Sequence, residues 1–350
     1  AVGQGSTASG ANSTALGQGA NATGANSTAL GQGASATGDA STVLGQGASA
    51  AGARNTAVGQ GAVASDEEST ALGQGAQSTG FHSTATGALS VASGRGGTAT
   101  GWLSRATGDL STATGNSANA TGAASTATGR SAQATGAQST ATGATALASG
   151  ANSTANGHGA RATAANSSAS GQGAAATGDD STATGQAAQA TGTQSTATGV
   201  AATATGNGAT ANGRGANASG LQSTAVGAAS VAAGENGTAL GRGANASAAN
   251  SVALGAGSTN TRANTVSVGS AGAERQITNG AMNSAMAMMI GSATGIQTEN
   301  RFAVGAGFSG GESALSLGYQ RALSERSTLT IGGSFTDDES QAGIGFGIGW

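Results

Sequence analysis

Small apolar and small polar residues alternate along this chain on a fixed beat. The stretch from Ser111 to Gly136 reads STATGNSANATGAASTATGRSAQATG, and a seven-residue glycine series runs from Gly3 to Gly255. Of its 37 positions, only Asp66, Ala164 and Ala248 are not glycine. The full unit is fourteen residues, typified by ANSTALGQGANATG at Ala11 to Gly24, and eighteen units run from Ala11 to Arg262. Within a unit, position 4 is Thr in sixteen of eighteen cases, position 5 is Ala in seventeen and position 12 is Ala in sixteen. In a helix, each glycine would cost about 1 kcal/mol relative to alanine. Between short strands, glycine turns carry no such penalty. The pattern therefore predicts two strands and two turns per unit, one coil of a solenoid, with Gly17, Gly24, Gly31 and Gly38 at turns. At a strand spacing of ~4.8 Å, eighteen coils make a rod of roughly 85 Å.

A coil of fourteen residues encloses little volume, so Ala and Thr are about the largest residues expected to line it. A rod this thin buries little apolar area and is expected to pack against copies of itself. Position 6 is Leu or Val from Leu16 to Leu72 and again from Val226 to Leu254, but Thr, Asn or Ser from Thr86 to Asn212. Alternation alone leaves two faces to choose between; the expectation here is that positions 4 and 6 point inward.

After residue 300 the beat changes. Two aromatics, Phe81 and Trp102, precede that point, whereas six follow it. Phe302, Val304, Ala306 and Phe308 share one face of a period-two pattern, as do Leu315, Leu317 and Tyr319, then Leu329, Ile331 and Phe335. The final GIGFGIGW sets Ile344, Phe346, Ile348 and Trp350 on one face and glycine on the other. Ser309–Glu312, Ser324–Arg326 and Asp337–Ser340 read as turns. Four strands of about nine residues alternating in this way predict membrane-crossing β-strands. A soluble sandwich is the alternative. Four strands cannot close a barrel and an open edge is not tolerated in lipid, so several chains must pool their strands. The glycine-lined inner face calls for a plug, for which Asn279 to Gly291, with Met282, Met286 and Met289 at helical spacing, is the candidate.

Composition narrows the chemistry. The chain has 350 residues, 65 of them Gly, no Pro or Cys, and a formal charge of -3. All twelve basic residues are Arg. Charge this sparse gives no nucleic-acid footprint, and the lack of Cys removes disulfides and thiolate metal sites. Chain opening in mid-repeat at Ala1 reads as a processed or trimmed piece of a longer secreted protein. The two histidines, His82 and His158, lie roughly five coils apart, about 26 Å, so no nucleophile–base pair or metal set forms around them. No enzyme activity and no cofactor are expected. GRGG at Gly94 to Gly97 lacks the Lys and Ser/Thr of a phosphate loop and reads as a turn. Asp66, Glu67 and Glu68 read as a solvated acidic turn in preference to a cation site. Arg54, Arg95, Arg105, Arg130 and Arg161 read as scattered solubilising charges. Recurring Asn-x-Thr triplets such as Asn12–Ser13–Thr14 follow from the repeat itself. Phe81 and Trp102 must either protrude as contact anchors or pack between subunits.

Taken together, these features resemble the YadA-like trimeric autotransporter adhesins of Gram-negative bacteria. The fourteen-residue units, such as ANSVALGAGS at Ala249 to Ser258, look like the family's head repeat. VSVGSAGAERQITNGA at Val266 to Ala281 is similar to its neck, and Asn300 to Trp350 to its anchor. The resemblance implies an all-β chain: a left-handed parallel β-roll head over residues 1–262, a neck over 263–278, a pore helix and linker over 279–299, and an anchor over 300–350. In that anchor three chains contribute four strands each to a twelve-stranded barrel. It implies a homotrimer in the outer membrane with the head on the cell surface, contact with outer-membrane lipid, and a C-terminal aromatic, Trp350, read by the outer-membrane assembly machinery. The family usually places a long coiled-coil stalk between neck and anchor, whereas here Arg275 to Asn279 runs almost directly into the anchor segment.

Three functions fit these residues. The first is adhesion to host matrix, such as collagen, or to other cells, through many weak sites acting together. The second is a spacer or coat rod whose ligand-binding tip lies outside this chain. The third is ice binding by Thr-Ala-Thr, which occurs in five successive coils from Thr84–Thr86 to Thr140–Thr142.

Overall fold

The computed structural model describes residues 1–269, 300–309, 312–324, 327–336 and 340–348. The chain divides into two units, Ala1–Glu274 and Arg275–Trp350.

The first unit is a parallel β-solenoid. Each coil has a three-residue strand at positions 4–6, such as Thr14–Leu16, and a two-residue strand at positions 11–12, such as Asn21–Ala22. Each strand pairs in parallel with its counterpart fourteen residues away: Thr14 lies beside Thr28, and Asn21 beside Ser35. The result is two ladders of nineteen strands, from Thr7–Ala8 to Thr259–Asn260 and from Thr14–Leu16 to Val266–Val268. The stack thus continues past Arg262, because Val266 to Val268 pair with Val252 to Leu254 as a last rung. Within the coils the backbone bonds run to the adjacent coil, as in Thr14 N–H to Ser27 O at 2.9 Å and Gly31 N–H to Leu16 O at 2.9 Å.

The expected inward face is reversed. Position 5 points into the coil and is fully buried, from Ala29 through Ala239, while positions 4 and 6 point out. Leu16 is 47% and Leu44 49% exposed. Positions 3, 10 and 12 complete the interior, so each coil is filled by Ser and Ala. The reason is volume. Alternation permits either face, but close packing of so small a lumen admits a methyl or hydroxymethyl group and not an isobutyl group. The largest fully buried side chains are Val43 and Asn55.

Gly17, Gly24, Gly31 and Gly38 each open a turn. At Gly17, with φ +136°, an added Cβ would lie 2.4 Å from Gly31 O. At Gly24 a Cβ would lie 2.1 Å from Gly38 O, so neighbouring coils approach there backbone to backbone. Outside the coils, side chains form ladders of their own. Gln32 Nε2 donates to Gln18 Oε1 at 3.0 Å and Gln46 to Gln32 at 2.9 Å. Asn236 donates to Asn250, and Asn250 to Asn264, both at 3.0 Å.

The second unit contains a four-stranded antiparallel sheet, Asn300–Ser309, Glu312–Ser324, Ser327–Thr336 and Ser340–Ile348, paired in chain order. Among the described residues its two outer strands have no further partner, and no helix is long and apolar enough to cross a membrane. The Met282, Met286 and Met289 segment and Trp350 lie outside the described residues.

Candidate functional site

Stacking at fourteen-residue intervals converts residues far apart in sequence into neighbours. Arg54, Glu68 and His82 all occupy position 2, and Glu67, Phe81 and Arg95 all occupy position 1, so successive coils build one string along a single turn edge. Arg54 Nη2 lies 2.7 Å from Glu67 Oε1, and Arg54 Nε donates to Glu68 Oε1 at 2.7 Å. His82 Nε2 lies 2.8 Å from Glu68 Oε2. The His82 ring stacks on Phe81 with centroids 3.9 Å apart, and Arg95 Cζ sits 5.7 Å from the Phe81 centroid. The hydrogen bond that Arg54 donates to Glu68, then the charge of that carboxylate, raises the Arg54 pKa above its ordinary value. Ion pairs this exposed contribute little to stability.

This string begins where the glycine series breaks. Asp66 replaces the turn glycine, and its carboxylate accepts the Glu67 N–H at 2.8 Å. Asn55, buried at the usual Ser position, donates to Ala64 O and accepts the Ser69 N–H, both at 2.9 Å. Glu67 and Glu68 are both engaged by Arg54, so the acidic turn is internally paired. Among the described residues no group of three or more His, Cys, Asp or Glu could hold a metal ion. Along the sequence Arg54, Glu68, His82 and Arg95 look scattered; their successive spacing of 13 to 14 residues is the signal that joins them.

Trp102 occupies position 8, on the opposite turn of the coil from Phe81, and is 51% exposed. Leu89 and Leu103, at position 9, occupy the same turn column, both exposed and with φ of +57° and +56°. His158 is also at position 8, so the two histidines lie on opposite turns as well as in distant coils. The Thr-Ala-Thr columns stand on the outward face of the longer ladder, with Thr84 beside Thr98 and Thr86 beside Thr100.

In the C-terminal sheet the register gathers the sequence-predicted apolar residues into rows. Phe302 pairs with Tyr319, Tyr319 with Ile331, and Ile331 with Ile344. Val304 pairs with Leu317, Leu315 with Phe335, and Leu329 with Phe346. Phe308 pairs with Ser313, and Ile348 with Ser327. Phe302, Val304, Leu315, Leu317, Tyr319 and Ile331 are all exposed, between 37% and 69%. Between two such rows lies a row of glycine, Gly318 with Gly332 and Gly332 with Gly343.

Two family models match this chain. The YadA head domain repeat matches ten stretches between residues 1 and 258. The YadA-like membrane anchor domain matches residues 293–350. Among solved structures, the collagen-binding domain of the Yersinia adhesin YadA is 29% identical, covering 47% of this chain and 75% of that one, with a TM-score of 0.28. No curated protein matches the chain. With head repeats over most of its length and the anchor domain at its end, the chain belongs to the YadA-like family of trimeric autotransporter adhesins, outer-membrane proteins whose heads are exposed on the cell surface.

Proposed function

We propose that this head attaches the bacterium to host matrix protein, collagen being the first to try, or to other cells. The observation that carries the reading is the uninterrupted stack of nineteen rungs, which offers a long regular surface and holds Phe81 and Trp102 at fixed turn positions. Three chains displaying such a rod multiply weak contacts by avidity. The organisation we propose is a head whose coils run through the rung Val266–Val268, a neck from there to 278, a pore helix carrying Met282, Met286 and Met289 with its linker over 279–299, and an anchor over 300–350. Phe302, Val304, Phe308, Leu315, Leu317, Tyr319, Leu329, Ile331, Phe335, Ile344, Phe346, Ile348 and Trp350 face lipid in a barrel to which each of three chains gives four strands. The exposed Phe302, Val304, Leu315, Leu317, Tyr319 and Ile331 support this, as do the two outer strands, which have no further partner strand among the described residues, since an open edge has no place in lipid.

The test is retention of a non-adherent Gram-negative host displaying the chain on surfaces coated with collagen, fibronectin, laminin or nothing. Selective retention on one coating is the expected result. Equal sticking everywhere with clumping redirects the function to self-association, and no retention by a surface-displayed trimer leaves a spacer rod.

A further inference from the structure

The outward face of the longer ladder is formed by two columns, positions 4 and 6, that hold no charged residue. Every charged residue between Ala11 and Arg262 stands at position 1, 2, 8, 11 or 14, and none at position 4 or 6. The shorter ladder, by contrast, carries Arg105 and Arg161 on its outward column. The exposed column at position 13 is equally free of charge, so what singles out the longer ladder is the Leu and Val that it leaves exposed. Along position 6 the apolar residues form two blocks. Val2, Leu16, Leu30, Leu44, Val58 and Leu72 stack at one end, and Val226, Leu240, Leu254 and Val268 at the other. Val2 is 66%, Leu44 49%, Leu72 37%, Leu240 44% and Leu254 40% exposed in a single chain. Between the blocks, ten coils present Thr, Ser or Asn at position 6, from Thr86 to Asn212.

We infer that the seam between the three copies of the head, which the trimer proposed above sets on this face, has three segments: two dry apolar clamps and a wet middle lined by hydroxyls. The inference rests on the trimer of the proposed function and deepens it. Three parallel rods related by an axis along their length bring each residue level with its own copies. Leu then meets Leu at the clamps, where burial of apolar area holds the chains together. In the middle, Thr meets Thr, and the hydroxyls of three chains keep hydrogen-bond partners through water between them. At ~4.8 Å per coil this hydrated segment is roughly 48 Å long. The same placement removes ice binding from the Thr-Ala-Thr columns. Those columns are in line with the Leu columns, so a face closed by copies of the chain is not presented to ice.

The absence of native cysteine makes the test direct. Leu44→Cys, Thr128→Cys and, on the outward column of the other ladder, Gln133→Cys are each introduced into the full chain displayed in the outer membrane. All three positions are exposed or half-exposed in one chain, so the substitutions leave the coil interior untouched. A short tris-maleimide is expected to give covalent trimers from Leu44→Cys and Thr128→Cys and none from Gln133→Cys. A small charged methanethiosulfonate, added first, is expected to label Thr128→Cys freely. Leu44→Cys, reached only through local opening, should react on the order of tenfold more slowly. Trimers from Gln133→Cys with none from Leu44→Cys overturn the seam while leaving the trimer standing. Equal labelling of Leu44→Cys and Thr128→Cys overturns the division into dry and wet segments. A native mass of one protomer, with no covalent trimer at any position, overturns the trimer reading itself and the seam with it.

Discussion

Replacing single turn glycines by alanine separates two demands that the coil places on its turns. At Gly129 the backbone has φ +127°, and an added Cβ would lie 2.7 Å from Gly143 O and 2.8 Å from Gly143 C. At Gly173 φ is +64° and nothing lies within 4 Å of the added atom. For Gly173→Ala the cost is the left-handed conformation alone, about 1–2 kcal/mol, offset by about 0.4–1 kcal/mol from a less flexible unfolded chain. The protein already accepts Leu103, Ser131 and Thr145 at equivalent positions with φ of +56°. For Gly129→Ala the strain of a region reserved for glycine adds about 1–3 kcal/mol. The clash also pushes neighbouring coils apart, weakening the Gly143 N–H to Thr128 O bond, now 2.8 Å, and a buried bond lost in this way costs about 1–3 kcal/mol. The expected destabilisations are therefore about 0–1.6 kcal/mol for Gly173→Ala and about 2 kcal/mol or more for Gly129→Ala. Urea unfolding of the purified chain, followed by far-UV circular dichroism, reads both as shifts in midpoint at constant slope. Equal shifts, or a larger one for Gly173→Ala, would refute the claim that coil-to-coil approach governs these turns.

Three further outcomes follow from the same packing. Asn55→Ala leaves the Ser69 N–H without its acceptor, while Ala64 O keeps the Ala51 N–H as its other donor. The substitution should lower stability by about 1–3 kcal/mol, with Asn55→Ser, the usual residue of that column, recovering part of the loss in the same unfolding assay. Ala127→Leu, at a fully buried inward position, overfills the lumen and should cost about 1–3 kcal/mol or more, whereas Thr128→Leu, one residue away and outward, should be close to neutral. Leu317→Arg on the exposed apolar face of the C-terminal sheet should reduce the heat-resistant trimer recovered from membranes, since a lipid-facing arginine at mid-depth costs about 2–4 kcal/mol. Undiminished recovery would remove Leu317 from the lipid face.

Much of this architecture is legible in the sequence because a solenoid writes its geometry in one dimension. The glycine beat marks turns at Gly17 and Gly24, and register follows, since residue k can only meet residue k + 14 without losing the Ala column. The alternation after residue 300 likewise anticipates the rows joining Phe302, Tyr319, Ile331 and Ile344. Two features are not legible. Alternation is symmetric, so it cannot say that Ala15 points in and Leu16 out. The decision belongs to lumen volume, a quantity that exists only once the coil has closed. The string from Arg54 to Arg95 is hidden differently: its residues are distant along the chain and carry no common motif, and only the period, applied to charges as well as to glycines, brings them together. Position 14 shows a third limit. A Cβ at Gly122 would fall 1.9 Å from Gly136 O, yet Ala164 occupies the equivalent site and stands half-buried where its glycine counterparts are buried. The turn there yields locally, which spacing alone cannot express.

If the outward face of the longer ladder is a seam, adhesion must use what remains: the two turn edges and the outward face of the shorter ladder. That face is varied from coil to coil, with Ser49, Val63, Gln77, Val91 and Arg105 in successive rungs. A repeated site built from side chains is therefore absent from it, and what repeats at the surface is small hydroxyls and backbone. Such a surface binds weakly everywhere, and selectivity falls to the few residues that interrupt it. Trp102 is the strongest of these: large, 51% exposed, and chemically suited to anchor a contact worth about 2 kcal/mol or more. Trp102→Ala should then reduce retention on the selected coating more than tenfold, the equivalent of about 1.4 kcal/mol. Removing Asp179 to Gly206, two whole coils of the eighteen, should reduce it only in proportion to the shortening of the rod. The reverse order, a tolerated Trp102→Ala and a severe coil deletion, would place binding in the hydroxyl columns and make the length of the rod, not its one exposed tryptophan, the determinant of adhesion.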